Sequence, residues 1–327
     1  MGYLGFDKKF IHQIFKLCKR KVKNYLDKHY PGAEFLCAYE AGFCGFWIHD
    51  ELEKNGLTTL VANPADIPTS DKERKQREDK RDARKISKTL KSGDINGIYV
   101  PDKQVRIDRS VVRERYSVVK SSRRVKCQIK SHLALYNIEI PDEMTNKHWS
   151  AKFITWLEQV RDDLKDGTLR LQLERLRAMR QLQLRANRAL RDLSKTERYK
   201  DLYKVLLSVP GIGLITAMLL ITEIADMKRF LFFDKLCSYV GLIPTTDGSA
   251  DKEKRGSLTP RTNKRLRSAL VESSWAAIKS DPELLLKYEE YRKRMNGQRA
   301  ILRISRNLLS RIRFVWLSGK KYQRVEI

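Results

Sequence analysis

None of the five cysteines (Cys18, Cys37, Cys44, Cys127 and Cys237) stands in a C-x-x-C pair, and their number is odd. That pattern argues against a zinc ribbon and a disulfide framework and fits reduced thiols in a cytosolic protein. The five histidines are scattered, with none at metal-ligand spacing from another, so they read as structural or surface residues. No apolar run approaches the length of a membrane span and no secretory leader is visible. The expectation is a cytoplasmic protein with no membrane partner.

Acidic residues are also scarce. Forty Asp and Glu face 67 Lys and Arg, leaving a formal net charge of +27 spread along all 327 residues. Lys and Arg replace condensed counterions on phosphates, so the excess favours nucleic acid. A ribosomal-type or membrane-surface protein would also be basic. The length suffices for two or three domains with real cores.

The stretch from Glu34 to Asp82 carries the densest chemical signal. Phe35-Leu36-Cys37-Ala38-Tyr39 reads as a buried strand ending in the carboxylate of Glu40. Gly42 and Gly45 break it, a helix follows over Phe46 to Lys54, and Asn55-Gly56 stops that helix. Leu57 to Ala62 reads as a second strand, closed by Asn63-Pro64. Strand, helix, strand at this spacing predicts two parallel strands, with Glu40 at a carboxyl end where ligands gather. Next comes the charged helix that bears Asp79 and Asp82, three residues apart and therefore on one face. These three carboxylates are candidate ligands for Mg²⁺, a hard cation that takes oxygen donors. A solvated charged helix beside a strand-end glutamate is the competing reading.

Further along, Ile98-Tyr99-Val100 reads as a short strand. A helix follows over about Lys103 to Tyr136, with Val105, Val112, Val119 and Ile129 on an apolar side. Ten basic residues between Lys103 and Lys130 outnumber two acidic ones. Arg106, Arg109, Arg113, Arg123 and Arg124 are therefore candidate phosphate contacts. Pro141 to Lys147 reads as a linker. From Phe153 to about Tyr199 the chain is helical with a break near Gly167. The stripe Leu169, Leu173, Leu176, Met179, Leu182, Ala186, Ala189 and Leu193 suits a coiled-coil arm. It would pack either within the chain or against another copy. From Tyr203 onward, Val209-Pro210-Gly211-Ile212-Gly213 resembles the turn of a helix-hairpin-helix, whose Gly211 and Gly213 amides can face a phosphate. Thr245 to Pro260 reads as a polar loop holding Ser249 and Ser257. Lys264, Arg265 and Arg267 come next, so a serine nucleophile beside cations is conceivable chemistry there.

Taken as a set, Tyr39-Glu40-Ala41-Gly42, Ala62-Asn63-Pro64 and Glu78-Asp79-Lys80-Arg81-Asp82 resemble the RuvC-like DEDD domain of the insertion-sequence one-ten transposases. Val209 to Gly213, Arg229-Phe230, Gly241-Leu242-Ile243-Pro244 and Asn263 to Arg267 are similar to that family's C-terminal domain. The resemblance implies a mixed α/β RNase H/RuvC-like domain over 1–140 and a long helical, coiled-coil arm over 141–200. It implies an all-α C-terminal domain with a helix-hairpin-helix and a serine loop over 201–327. It also implies a transposase or DNA recombinase that cuts and rejoins donor and target DNA. Ser249 would be the nucleophile, and Glu40, Asp79 and Asp82 would hold Mg²⁺. An element-encoded non-coding RNA would guide it, and it would act as a homo-oligomer, a dimer or tetramer, near the nucleoid of a bacterium or archaeon.

The family's first strand and first aspartate are expected to be missing here through N-terminal truncation, with Asp7 the nearest substitute. Ala250 and Thr262 stand where the family commonly has glycine. Two alternatives remain: an inactive remnant that only binds nucleic acid, or a RuvC-type metal-dependent nuclease in which Ser249 has no role.

Overall fold

The computed structural model describes residues 20–68, 79–145, 149–249, 252–258 and 262–323. The chain divides into two compact units, 1–101 and 102–327.

In the first unit, α1 (Arg20–His29) precedes β1 (Leu36–Glu40), α2 (Trp47–Lys54), β2 (Thr58–Ala62) and α3 (Asp79–Ser92). The expected parallel pairing is present, with Leu36 opposite Thr58 and Glu40 opposite Ala62. Gly45 and Gly56 both take positive φ, which lets the chain reverse between strand and helix. The Glu53 carboxylate accepts from the Thr59 amide at 2.6 Å and ties the end of α2 to β2. Ala62, Ile67 and Ile95 form a small core against Ile86 and Leu90 of α3. The strand expected at Ile98 to Val100 is reduced to a bridge between Ala62 and Gly97, with the Ile98 amide donating to the Val61 carbonyl at 2.8 Å. Pro101 has no amide to extend that ladder.

The second unit opens with α4 (Lys103–Leu135), the expected basic helix, capped by Asp102 through the Val105 amide. At 33 residues it is about 50 Å long. By its contacts α4 falls in the second unit, where it packs along the helical arm. Its buried face runs through Val112, Val118, Val125 and Ile129. Val118 takes the core place expected for Val119, which is half-buried. The expected linker contains α5 (Asp142–Thr145), whose Met144 is buried. Then come α6 (Ala151–Leu164) and α7 (Gly167–Ser194). The break between them is Lys165 in the left-handed region followed by Asp166, which caps α7 through two amides.

α7 runs antiparallel to α4. His132 meets Asp166 at 2.5 Å, Arg115 donates to Asn187, and Tyr199 donates to Asp108 at 2.6 Å. Leu169, Leu173 and Leu176 are buried as the stripe predicts, but Leu182 is exposed and Leu190 is buried. The buried and half-buried seam runs in seven-residue steps, through Leu169, Leu176, Gln183 and Leu190 and through Leu173, Arg180, Asn187 and Ser194. Its first half is apolar and its second half largely polar, and α7 packs along α4.

The C-terminal core surrounds α9 (Leu214–Ile224), which is buried from Ala217 to Ile224. Around it pack α8 (Lys200–Leu206), α10 (Phe233–Val240), α11 (Lys264–Ala277), α12 (Pro282–Arg294) and α13 (Gly297–Ser318), together with the start of α4. The all-α expectation needs correction here. Residues 244–258 form an antiparallel hairpin of β3 (Pro244–Ser249) and β4 (Lys252–Leu258). These strands are almost entirely polar, so no apolar alternation marks them in the sequence. Among the described residues, no helix is long and apolar enough to cross a membrane.

Candidate functional site

In the first unit, the two expected carboxylate-bearing elements are in contact: α3 packs on β1. Glu40 ends β1 and is exposed. Asp79 is the first residue of α3, and Asp82, one turn on, is half-buried with Lys85 Nζ 3.5 Å from its Oδ1. Among the described residues, no three His, Cys, Asp or Glu side chains form a group that could hold a metal. Asp7 lies outside the described residues.

In the second unit, Ser249 is the last residue of β3, opposite Lys252 across a two-residue connection. The hairpin grows out of a buried polar cluster that the sequence reading missed. Its centre is Glu223, 1% exposed, in the otherwise apolar helix α9. Arg113 donates to both carboxylate oxygens, at 2.7 and 2.9 Å. Asn263 Nδ2 adds a third bond at 2.9 Å, and the Arg109 Nε lies 3.9 Å away while donating to the Thr222 carbonyl. The Tyr239 hydroxyl donates to the Glu223 backbone carbonyl at 2.8 Å. Arg229 lies over the rings of Phe230 and Tyr239 at 4.1 and 4.6 Å.

Burial by itself pushes the Glu223 carboxyl up, but the bond from Arg113 and the charges of Arg113 and Arg109 outweigh it and hold the group below its usual range. The same bond raises Arg113, whereas burial lowers Arg109. The signal available in the sequence was one carboxylate inside an apolar helix, which needs cationic partners to be buried. Those partners lie 110 residues earlier in the chain.

Gly241 and Asn263 flank the hairpin. Gly241 has φ +87°, and a Cβ there would meet Thr262 Oγ1 at 2.5 Å, so the Thr262 side chain fills the space that this glycine leaves. Asn263 donates its backbone amide to the Tyr239 carbonyl at 3.1 Å. Tyr239 and Asn263 thus meet at Glu223, with Arg229 over the Tyr239 ring.

The candidate phosphate contacts separate into two groups. Arg109, 12% exposed, and Arg113, whose side chain is still 45% exposed, are engaged with Glu223 and Thr222 as structural ions. Arg123 and Arg124 are exposed on α4, and Lys264 and Arg265 are exposed on the first turn of α11. Arg106 and Arg267 are half-buried. In the turn between α8 and α9, Gly211 has φ +77°, and a Cβ there would lie 2.1 Å from the Ser273 carbonyl oxygen. This glycine is required by the close approach of α11. Gly213 is the N-cap of α9 and is exposed.

Comparison with known proteins agrees with the order of these elements. Residues 16–138 match a DEDD transposase model of the IS110 type, and residues 203–289 match the model described as transposase of the IS116/IS110/IS902 family. A putative transposase, y4qE, of Sinorhizobium fredii is 26% identical over 244 residues, which are 74% of this chain and 58% of that protein. The transposase for insertion sequence element IS1533 of Leptospira borgpetersenii is 26% identical over 259 residues, 73% of this chain and 72% of that one. An insertion element IS110 protein of Streptomyces coelicolor is 33% identical over 121 residues, 36% of this chain and 30% of its own length. The chain therefore spans little more than half of the first of these relatives. With two models of one family matched in sequence order, the chain belongs to the IS110 family of transposases.

Proposed function

We propose that this chain cuts and rejoins insertion-sequence DNA, with Ser249 as the nucleophile and Mg²⁺ held by Glu40, Asp79 and Asp82. The observation that carries the reading is that Ser249 ends β3 at the turn of a hairpin whose flanking residues Tyr239 and Asn263 are bonded to the buried Glu223. A hydroxyl at a tip can reach a DNA backbone, and its supporting segments are held by charge-assisted bonds. The Ser249 oxygen attacks phosphorus and displaces one sugar oxygen; rejoining reverses the step with a hydroxyl from the other strand.

Glu40 at a strand end and the aspartates of the helix packed on that strand supply only oxygen donors, which suits Mg²⁺. Glu40, Asp79 and Asp82 would hold the ion, which would supply charge neutralisation at a phosphate. In this reading the first unit is an RNase H/RuvC-like domain, and α8, its turn and α9 are a helix-hairpin-helix whose Gly213 end faces a phosphate. Arg106, Arg123, Arg124, Lys264, Arg265 and Arg267 contact nucleic acid. The partners are donor and target DNA and an element-encoded RNA guide, and the working species is a homo-oligomer.

The test is a covalent-adduct assay on a denaturing gel, with element RNA, Mg²⁺ and labelled donor and target DNA. The wild type gives a protein–DNA adduct that Ser249→Ala and chelation of Mg²⁺ both abolish. Strand cleavage that survives Ser249→Ala points instead to a metal-dependent nuclease. Nucleic-acid binding without cleavage points to a remnant.

A further inference from the structure

The outer face of α13 and the loop before α10 form a surface that the transposition reading leaves unused. Residues 299, 303, 306, 310, 313 and 317 recur at steps of four and three, so they share one stripe of α13. The opposite face, with Ile304, Leu308 and Ile312, is buried in the core. At its start the outer stripe carries Arg299 and Arg303, both exposed, and then Arg306. Towards its end the surface becomes apolar: Phe314 is 65% exposed and Leu317 is 44% exposed.

The loop before α10 adds to that end. Arg313 Nη2 donates to the carbonyls of Phe230 and Leu231 at 3.3 Å, so this loop is tied to α13 next to Phe314. Leu231 and Phe232 on the same loop are 79% and 69% exposed. Arg306 is paired with Asp234 and lies over the Phe233 ring, which fastens the start of α10 to the same helix. Two phenyl rings and two leucines held open to water beside arginines are costly to leave uncovered.

The charge pattern selects the occupant. From Gly297 to Gln323 the chain has seven basic residues and no acidic one. Isologous pairing with a second copy would press this arginine stripe against itself, which a self-complementary interface avoids. An unpaired nucleic-acid strand satisfies both halves of the surface: its phosphates meet the arginines and its bases stack on exposed rings. We propose that α13 and the Leu231-Phe232 loop form a stacking platform for an unpaired stretch of nucleic acid, with Phe232 and Phe314 taking bases and Arg299 and Arg303 taking phosphates.

The experiment is fluorescence anisotropy of the full chain at physiological salt. The ligands are oligothymidine and oligouridine of about 20 nucleotides and a blunt duplex of the same length. All four positions are at the surface, so the variants should fold; a melting curve checks this. Phe232→Ala with Phe314→Ala is expected to weaken single-strand binding by about tenfold or more, the size of one or two lost stacks, and to leave duplex binding within about twofold. Phe232→Leu with Phe314→Leu, which keeps apolar area without an aromatic face, is expected to lose nearly as much. Arg299→Gln with Arg303→Gln is expected to reduce the salt slope on single strands by about 1.4, or roughly 0.7 for each phosphate contact. The relative loss on oligothymidine and oligouridine tells DNA from RNA as the source of the strand. Unchanged single-strand affinity, or an equal loss on the duplex, overturns the proposal. So does unchanged oligonucleotide binding accompanied by a smaller sedimenting species for the alanine variant, which would give the patch to a second copy.

Discussion

Asn263 uses both ends of its side-chain amide: Oδ1 accepts from the Leu266 amide and caps α11, while Nδ2 donates to Oε2 of Glu223 at 2.9 Å. The residue therefore joins the helix after the Ser249 hairpin to the buried carboxylate of α9. An aspartate would keep the cap and replace the donor with a second, half-buried negative charge. Asn263→Asp is expected to cost about 2 kcal/mol at neutral pH, because it loses a donor and holds a like charge beside the buried carboxylate. Asn263→Ser keeps a capping oxygen and loses one donor, for about 1 kcal/mol. Urea denaturation at neutral pH compares the two; equal losses would mean that the Glu223 contact is unimportant.

Glu223 itself makes stability depend on pH. Its carboxyl is held below the ordinary range in the folded chain, so the stabilisation is present above the unfolded carboxylate value of about 4.3 and is lost as pH falls through the folded value. Glu223→Gln removes that dependence and leaves Arg113 and Arg109 without a counter-charge. Because the Arg113 side chain is 45% exposed and water screens it, the loss is about 1–3 kcal/mol, less than for a fully buried pair. The expected result is a variant destabilised at neutral pH whose difference from wild type narrows as the solution is acidified below about 4. A difference that stays constant over that range would show that Glu223 does not titrate with unfolding.

The two glycines of the α8–α9 turn are expected to behave differently. A Cβ on Gly211 would sit 2.1 Å from the Ser273 carbonyl oxygen and would also occupy a left-handed conformation. Gly211→Ala should cost several kcal/mol, from about 1–2 for the backbone and about 1–3 for the forced separation of the turn from α11. A Cβ on Gly213 has nothing within 4 Å, and its φ of −106° suits any residue. Gly213→Ala should stay within about 1 kcal/mol of wild type. Thermal melts of the two variants decide this. Weakened duplex binding by a stably folded Gly213→Ala variant would support the phosphate-facing role.

Much of the fold was legible because local signals agreed. Asp102, Asp166 and Asn263 each precede a helix they cap, and Gly45 and Gly56 mark the turns around α2. Patterning also gave the parallel pairing of β1 with β2. Pairings over long sequence distance were not legible. Glu223 and Arg113 are 110 residues apart, and periodicity marks Arg113 only as one of many cations on a basic helix. The β3–β4 hairpin was missed because Lys252 to Leu258 alternates one polar residue with another. In the second half of α7, tertiary packing against α4 selected Leu190 over Ala189, a choice that one helix's pattern cannot supply. Of the candidate site, the carboxylate-bearing strand and helix and the serine segment were readable as motifs. The cluster beneath the hairpin became visible only once those segments were brought together.

The end of the chain is fastened by a second buried ionic group, which gives a prediction at alkaline pH. Asp281 is 2% exposed and caps α12 through the Leu284 amide. Its Oδ2 accepts from Arg311 at 2.9 Å and from the Tyr322 hydroxyl at 2.8 Å, and the Tyr322 backbone amide donates to Ser208 Oγ at 2.7 Å. Burial, then the bond to Asp281, push the Tyr322 hydroxyl up to about 12. Because the folded value lies above the unfolded one of about 10, the stabilisation is complete below pH about 10 and is lost as pH rises towards the folded value. Tyr322→Phe is expected to cost about 1 kcal/mol at neutral pH, the worth of one hydrogen bond. It should unfold with less alkaline sensitivity than wild type above pH about 10. Asp281→Ala should cost more, about 2–3 kcal/mol, since it removes the α12 cap and one of the two carboxylates on Arg311, which keeps Glu283 at 2.7 Å. Guanidinium denaturation at neutral and alkaline pH measures all three. A Tyr322→Phe variant with the same alkaline profile as wild type would place the sensitivity in other tyrosines.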